Sequence, residues 1–396
     1  MTNTFRHSTK IPFHIDYPLV FILLALTAVS LTAIYGSIPL LASSVNGTDL
    51  LIKQVVWIGI SVAVLVTLII LGIDRILTSI YVFYWIMIGL LILLLLDKVV
   101  DLPFIYPING TRAWIVFPGL GSVQPSEFMK IVLIIICSDI IHKHNQLQTE
   151  FSLKSDLMVF LKVAQYAVLP LFLIILQPDT GIPIVIVIGI LIMLAISGIK
   201  IEWVVLVSAG VIGLLGLLLF LFFSYPSILV SILGSSYRLN RLYGWLQTEN
   251  FISSWGLQLY QSLLAVGSAG LSGHGWQSHI ISIIEPQNDF IFAVFSQDFG
   301  FIGSSLIIAL ELALDVSLIR IALRYKGNRE KLLVAGIIGM LAFQQVQNMG
   351  MIIGLLPITG ITLPFISAGG SSLLSYMPAI AIIFYMSSIN RTQKSF

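Results

Sequence analysis

Charged residues are scarce in this chain of 396 residues: Asp, Glu, Lys and Arg together make up 10% of it, whereas about a quarter of a soluble domain is charged. The formal net charge is only +2, which excludes a nucleic-acid-binding protein with a strongly basic face. Hydrophobic residues make up 58% of the chain. A soluble globule of this length could not bury so much apolar surface, and a disordered chain would not contain it. The composition therefore predicts a protein embedded in a membrane.

Cysteine, signal-peptide features and internal repeats are also lacking. The single cysteine, Cys137, excludes an intramolecular disulfide scaffold, and its place in an apolar run predicts a packing role. The segment Met1–Val20 is polar and shows no small-residue cleavage site, so the first apolar run is expected to remain as a membrane span. The missing repeat disfavours a transporter built from duplicated halves.

Long apolar runs are abundant, and they are continuous rather than alternating, which favours spanning helices over a β-barrel. A span needs about 20 mostly apolar residues. The sequence predicts an all-α polytopic membrane protein with ten transmembrane helices. The predicted spans are Pro18–Leu41, Gln54–Leu71, Ile76–Leu96, Ser126–Ile141, Met158–Leu176, Ile182–Ile199, Trp203–Phe223, Phe299–Leu323, Leu332–Leu356 and Leu373–Ile389.

Basic residues are distributed unevenly around these spans. With the N-terminus in the cytoplasm, fourteen of the 20 Lys and Arg fall on the inner side and five on the outer side, while Lys130 lies within a span. Cytoplasmic loops of membrane proteins carry such an excess. Both termini are therefore predicted to be cytoplasmic.

The longest connection lies between spans 7 and 8. We treat residues 1–396 as a single integral membrane domain with a large extracytoplasmic loop at 224–298. This loop is rich in Trp, Tyr, Gly and Leu and poor in charge, which is typical of ordered rather than disordered chain. Short interfacial helices are expected in it, one of them near Trp255–Val266.

Several polar residues lie where a membrane makes them expensive. Glu127 and Lys130 are one helical turn apart, on one face; they either hold a short helix among its neighbours or form a polar site open to the outer side. Asp179 either caps the helix that follows it or lines such a site. Arg112, close to Trp114, suits an anionic phosphate or headgroup, and equally an interfacial anchor.

Two further features point to the outer side. Asp289 precedes an apolar run, so it is either a helix N-cap or a carboxylate at an apolar rim, whose raised pKa would suit a general base. The last outer connection, 354–372, contains Ser367 and is dense in Gly and Pro. Irregular backbone at membrane depth is tolerated where it lines a cavity or is buried in protein. We therefore predict an outward-facing cavity at which Arg112, Glu127, Lys130, Asp179 and Ser367 converge.

Five motifs in this order resemble the SEDS family (shape, elongation, division and sporulation), which includes RodA and FtsW. They are distributed over most of the ten-span chain. They are Asn109-Gly-Thr-Arg-Ala-Trp114, Gln124-Pro-Ser-Glu-Phe-Met-Lys130, Gln177-Pro-Asp-Thr-Gly181, Asp289-Phe-Ile-Phe-Ala-Val294, and the stretch from Asn348 through Gly360 to Leu363-Pro-Phe-Ile-Ser-Ala-Gly-Gly370.

The resemblance implies a peptidoglycan glycosyltransferase that polymerises lipid II at the outer face of the bacterial cytoplasmic membrane, with a class B penicillin-binding protein as partner. It implies that Asp289 is the essential acid and that Glu127 and Lys130 line the central cavity. One departure is Gly273-His-Gly275, where many relatives have a lysine between the glycines. The RodA type, which serves elongation, is favoured by Asn348-Met-Gly-Met; the FtsW type, which serves the septum, by Gly360-Ile-Thr-Leu-Pro.

The implied reaction displaces undecaprenyl pyrophosphate from an anomeric carbon with inversion, which needs a base on the attacking hydroxyl and positive charge on the leaving group. Asp289 is the predicted base. Arg112 and Lys130 are candidates for the pyrophosphate, with a divalent cation, Mg or Mn, as a candidate cofactor. No zinc motif is present, so no protein-held metal is predicted.

Two other classes of function stay open on the sequence. Buried Glu127 and Lys130 together with broken helices also suit a transporter or flippase of a lipid-linked precursor. A non-catalytic scaffold for the transpeptidase is the other alternative. For the glycosyltransferase, the expected ligands are lipid II and membrane lipids, with no nucleic acid.

Overall fold

The computed structural model describes residues 13–43, 45–107, 111–147, 152–233, 236–278 and 280–392. Helices dominate this part of the chain, which confirms the predicted all-α class. The helices are α1 Tyr17–Ser37, α2 Gly47–Leu71, α3 Ile73–Val100, α4 Pro125–Leu147, α5 Leu153–Ile175, α6 Gly181–Ile196, α7 Ile201–Ser224, α8 Pro226–Leu233, α9 Ser236–Leu246, α10 Leu257–Ser268, α11 Ile291–Arg324, α12 Asn328–Ile352, α13 Gly370–Ser375 and α14 Met377–Thr392.

Seven helical segments in the described residues are long and apolar enough to cross a membrane: α1, α2, α3, α5, α7, α12, and α13 together with α14. Each of the ten predicted spans overlaps a helix, but α4, α6 and α11 fall outside the set of seven. Helix α6 has only 16 residues, and α4 carries four charged side chains, Glu127, Lys130, Asp139 and Lys143. The count of ten spans therefore stays a prediction.

Helix α4 lies in the centre of the bundle. It packs against α3, α5, α6 and α12, and the side chains from Met129 to Cys137 are buried all the way round the helix. A helix that is covered on every side belongs in the core. The charged first turn of α4 is therefore inside the protein and not against lipid. By contrast, Phe222 is the only buried residue of α7, so α7 lies at the periphery.

Helix α11 is broken near its start. At Gly300 the backbone has φ 62° and ψ −153°, a combination that is essentially restricted to glycine. Residues 291–299 therefore form a separate helical segment that ends where the predicted span Phe299–Leu323 begins. The last residues of the predicted loop at 224–298 are therefore helical, and its position outside the membrane stays a prediction.

The segment between α7 and α11 contains α8, α9, α10 and a 3-10 helix, Thr248–Phe251. Short helices were expected here, and α10 corresponds to the one predicted near Trp255–Val266. The sequence did not indicate the small antiparallel hairpin formed by β1 Ile115–Phe117 and β2 Gly121–Val123, in which Val116 pairs with Ser122. This hairpin leads directly into the first turn of α4.

Candidate active site

A cavity of about 470 Å³ opens at the end of the bundle where the hairpin, the start of α4 and the segment before α11 meet. Its wall combines the first half of α2, the hairpin, α9 and the connection between α12 and α13. Four of the predicted site residues line it, namely Glu127, Asp179, Asp289 and Ser367. Residues 109 and 110 of the predicted Asn-Gly turn lie outside the described residues.

Asp289 lies on the cavity wall immediately before α11. The N-cap of α11 is Phe290 and not Asp289, so the alternative of Asp289 as the N-cap does not hold. Removal from water raises the pKa of the Asp289 carboxyl to about 6; Glu285 acts in the same direction and Arg241 opposes it. A carboxylate of this kind is ionised at neutral pH yet accepts a proton readily, as a general base must.

Glu285, the other carboxylate of this segment, is engaged locally. It accepts hydrogen bonds from Nδ2 of Asn288 at 2.9 Å and from Nε2 of Gln287 at 3.2 Å. Its own backbone is in the left-handed region, with φ 53°, so the loop turns sharply at this point. Glu285 thus stabilises the loop through one carboxylate oxygen, and it lines the cavity together with Asp289.

Glu127 and Lys130 form the pair that their spacing predicts. Their charged atoms are 2.5 Å apart, and the Lys130 side chain is fully buried. The Lys130 ammonium also lies over the ring of Tyr376, 4.2 Å from its centroid, and the Tyr376 hydroxyl donates to Gln344. Glu127 lines the cavity while Lys130 lies behind it, so Lys130 acts on the cavity through Glu127.

Asp179 caps the helix that follows it, as one alternative predicted. Oδ1 accepts the backbone N–H groups of Gly181 and Ile182 at 3.1 and 3.3 Å, and Oδ2 accepts from Gln124 at 2.8 Å. Burial raises the pKa of the Asp179 carboxyl to about 6, although these hydrogen bonds act against the shift. Both of its oxygens are therefore occupied by the protein, whereas Asp289 is left for the cavity.

Arg112 does not line the cavity with the other four. Its guanidinium contacts Asp97 at 2.7 Å and Asp101 at 2.9 Å, and these hydrogen bonds raise the pKa of Arg112. Asp97 lies in the last turn of α3, and Asp101 is the C-cap of that helix. The sequence did not indicate that the end of α3 lies near Arg112. The convergence predicted for Arg112 is therefore not seen in the structure, and its role in binding substrate is untested.

The cationic residues on the cavity wall are Lys53, from α2, and Arg241, from α9. The sequence analysis missed both as site residues. Lys53 forms an ion pair with Asp49 at 2.6 Å, and Arg241 is close enough to Asp289 to influence its pKa. Their separate positions in the chain gave no signal, because only the fold brings the start of α2 and the long loop together.

Ser367 lies in the connection between α12 and α13. Its hydroxyl donates to the carbonyl of Asn288 at 2.8 Å and accepts the N–H of Leu363 at 2.9 Å. In the described part of the chain, no three His, Cys, Asp or Glu residues gather in a way that could hold a metal ion. These residues do not fit a divalent cation bound by the protein alone.

Comparison with known proteins places these features in a family context. The pattern of the FtsW/RodA/SpoVE family, described as cell cycle proteins, matches residues 17–392. The chain is 36% identical over 290 residues to stage V sporulation protein E of Bacillus subtilis, covering 72% of this chain and 73% of the relative. It is 32% identical to a probable peptidoglycan glycosyltransferase FtsW of Lactococcus lactis, covering 71% of this chain and 70% of the relative.

Solved structures are similar over almost the whole length. A chain of a peptidoglycan synthase complex, solved to explain the coordination of polymerization and crosslinking, matches with a TM-score of 0.71 at 25% identity, covering 95% of this chain and 98% of that one. The rod shape determining protein RodA of Thermus thermophilus matches with a TM-score of 0.63 at 24% identity, covering 95% and 97%.

Proposed function

Because this chain belongs to the FtsW/RodA/SpoVE family of cell cycle proteins, we propose that it is a peptidoglycan glycosyltransferase that polymerises lipid II. The membership predicted from the SEDS motifs is confirmed by the match over residues 17–392. Relatives named peptidoglycan glycosyltransferase support the proposed activity. The observation that carries the proposal is the position of Asp289. Its carboxyl lies on the cavity wall and has a raised pKa, and Phe290 rather than Asp289 is the N-cap of α11.

The proposed reaction is an inverting displacement. Asp289 removes the proton from the 4-hydroxyl of the acceptor GlcNAc as that oxygen attacks the anomeric carbon of the donor. The bond from this carbon to the pyrophosphate breaks, and undecaprenyl pyrophosphate leaves with the electron pair. The new glycosidic bond inverts the anomeric centre, and the proton stays on Asp289 until solvent takes it.

Negative charge develops on the pyrophosphate as its bond breaks, so cations nearby lower the barrier. Lys53 and Arg241 line the cavity, and we assign them this role ahead of Arg112 and Lys130. Lys130 pairs with Glu127 and holds it at the cavity wall. The proposed steps use these side chains, and a divalent cation at the pyrophosphate, bound by the phosphates and one or two carboxylates, stays a prediction.

The direct test is polymerisation of labelled lipid II by the purified full-length protein, with and without a class B penicillin-binding protein. The partner is proposed because the similar synthase complex couples polymerization to crosslinking. We expect glycan strands and one undecaprenyl pyrophosphate released for each bond formed. Absence of polymer under both conditions would contradict the proposal, and translocation of intact lipid II across a vesicle membrane would favour a flippase instead.

We propose the elongation role first, on the Asn348-Met-Gly-Met motif, with the protein in the cytoplasmic membrane. A septal role is the second candidate, because curated relatives at 32% and 33% identity are named FtsW. Depletion in the native cell separates the two roles. Loss of an elongation polymerase gives rounded cells, whereas loss of a septal polymerase gives filaments.

A further inference from the structure

The segment that carries Asp289 is held from outside at three consecutive backbone carbonyls. Gln287 O accepts the N–H of Ala368 at 2.9 Å, Asn288 O accepts the hydroxyl of Ser367 at 2.8 Å, and Asp289 O accepts Nδ2 of Asn348 at 2.8 Å. We propose that Asn348 is a positioning residue for the general base, acting through the Asp289 backbone, and that Ser367 shares this role. The inference rests on the proposed function and names residues that set its geometry.

Asn348 joins two walls of the cavity. It lies in the last turns of α12 and is fully buried. Besides the Asp289 carbonyl, its Nδ2 donates to the carbonyl of Ile361 at 2.8 Å. One amide group therefore ties the segment before α11 to the connection after α12, at the point where Gly360 faces Asp289. A Cβ at Gly360 would lie 3.4 Å from Oδ2 of Asp289, so the two walls are in close contact there.

The amide oxygen of Asn348 shows that the amide nitrogen is the group with a structural role. Its Oδ1 is buried and has no hydrogen-bond partner among the described residues. A buried polar atom without a partner is costly, and an apolar side chain of the same shape would avoid that cost if packing were the only requirement. The two donated hydrogen bonds are therefore the feature that Asn348 supplies.

Ser367 acts in parallel on the preceding residue. Its hydroxyl donates to Asn288 O and accepts from the backbone N–H of Leu363. The hydroxyl therefore uses its donor and an acceptor position within the protein. This assigns Ser367 a positioning role rather than the substrate contact that the sequence predicted. Phe290, the N-cap of α11, has no polar side chain with which to cap the helix, so the hydrogen bonds from Asn348, Ser367 and Ala368 are the ones that hold the segment from outside.

A general base works only when its oxygen is held at hydrogen-bonding distance from the proton it removes, and a displacement of about 1 Å can reduce the rate about 10²-fold. The Asn348→Ala variant is expected to reduce kcat by this order while KM for lipid II stays unchanged, because the cationic wall is untouched. The pH dependence should change too. A loosened segment admits water to Asp289, so the pKa of its carboxyl falls and the acid limb of the rate moves to lower pH.

The matched control is Gln347→Ala. Gln347 is the neighbouring residue on α12, is also buried, and donates to a loop carbonyl, that of Pro357, at 2.8 Å, but it does not contact the Asp289 segment. Ser367→Ala removes one of the three external hydrogen bonds and is expected to show the same kcat defect in smaller measure. Ser367→Ala replaces Asn348→Ala as the test variant if Asn348→Ala unfolds below the assay temperature.

Loss of kcat in Asn348→Ala and Ser367→Ala, with an acid limb at lower pH and Gln347→Ala close to wild type, would support the positioning role. Equal activity in Asn348→Ala and Gln347→Ala, or a defect confined to KM, would overturn it while leaving the glycosyltransferase proposal intact. An inactive wild-type protein would overturn both, so the two failures are distinguishable.

Discussion

At the scale of single residues, the ionisation of Asp289 makes a prediction about pH. Its pKa is raised to about 6, and the base acts only when ionised. Polymerisation should therefore be half-maximal near pH 6 and fall about tenfold for each further unit of acidification. A pH profile of single-turnover polymerisation measures this limb directly.

Asp179 provides the control, because its pKa is also raised to about 6. Its oxygens are bound to Gln124 and to the start of α6, so its titration should not set the rate. The Asp179→Asn variant should keep the acid limb, whatever its absolute activity. If the limb disappears in Asp179→Asn, the titrating group is not Asp289.

The Glu127–Lys130 pair makes a prediction about stability. Glu127→Ala leaves the fully buried ammonium of Lys130 with the ring of Tyr376 as its main partner. Removing one member of a buried pair costs about 3–5 kcal/mol, so a large decrease in Tm is expected. The double variant Glu127→Ala/Lys130→Met should recover much of it. Equal melting temperatures for Glu127→Ala and wild type would show that the pair does not stabilise the bundle.

Residue-scale prediction succeeded where the determinant is local. The Glu127–Lys130 pair was predicted because the two residues are one helical turn apart. The cap at Asp179 was predicted because a short polar side chain precedes a helix. It failed where partners come from distant elements. The interaction of Asp315 of α11 with Gln345 of α12, for example, has no counterpart in the local sequence. Lys53 and Arg241 were missed for the same reason.

At the scale of elements, the break in α11 depends on Gly300. Its backbone angles strain any other residue, and a Cβ there would lie 2.4 Å from the backbone nitrogen of Gly273. Gly300→Ala should therefore displace the segment that begins just after Asp289, and we expect both a lower Tm and lost polymerisation.

The matched control for Gly300 is Gly267, which lies within α10 and would have nothing within 4 Å of an added Cβ. Gly267→Ala should be close to neutral, because the backbone there has no positive φ and an added Cβ meets nothing within 4 Å. Comparable loss of Tm in both variants would contradict the special role of Gly300.

Apolar runs predict that the main helices exist, because burial or lipid contact demands a helix of that length. The ends and breaks of these helices, and the short strands between them, were harder to predict from the sequence. The break at Gly300 occurs at one of 31 glycines, and the hairpin at residues 115–123 has strands of only three residues. Neither pattern differs from an ordinary loop until the neighbouring elements are known.

At the scale of the whole molecule, the predicted orientation can be tested with introduced cysteines. Cys137 is buried, so the native chain gives little background. A membrane-impermeant maleimide should label Ser254→Cys in intact cells and Asn145→Cys only after permeabilisation, since both positions are exposed on the protein surface. The reverse pattern would contradict cytoplasmic termini and place the cavity on the inner side.

The measurement that decides most is lipid II polymerisation by Asp289→Asn beside Glu285→Gln, each compared with wild type for Tm and for binding to the transpeptidase. Asparagine keeps the size of Asp289 but cannot accept a proton as a base. We expect normal folding and partner binding in both variants, a rate at least ~10²-fold lower in Asp289→Asn, and substantial activity in Glu285→Gln. Polymerisation by Asp289→Asn at near the wild-type rate would contradict the assignment of Asp289 as the general base.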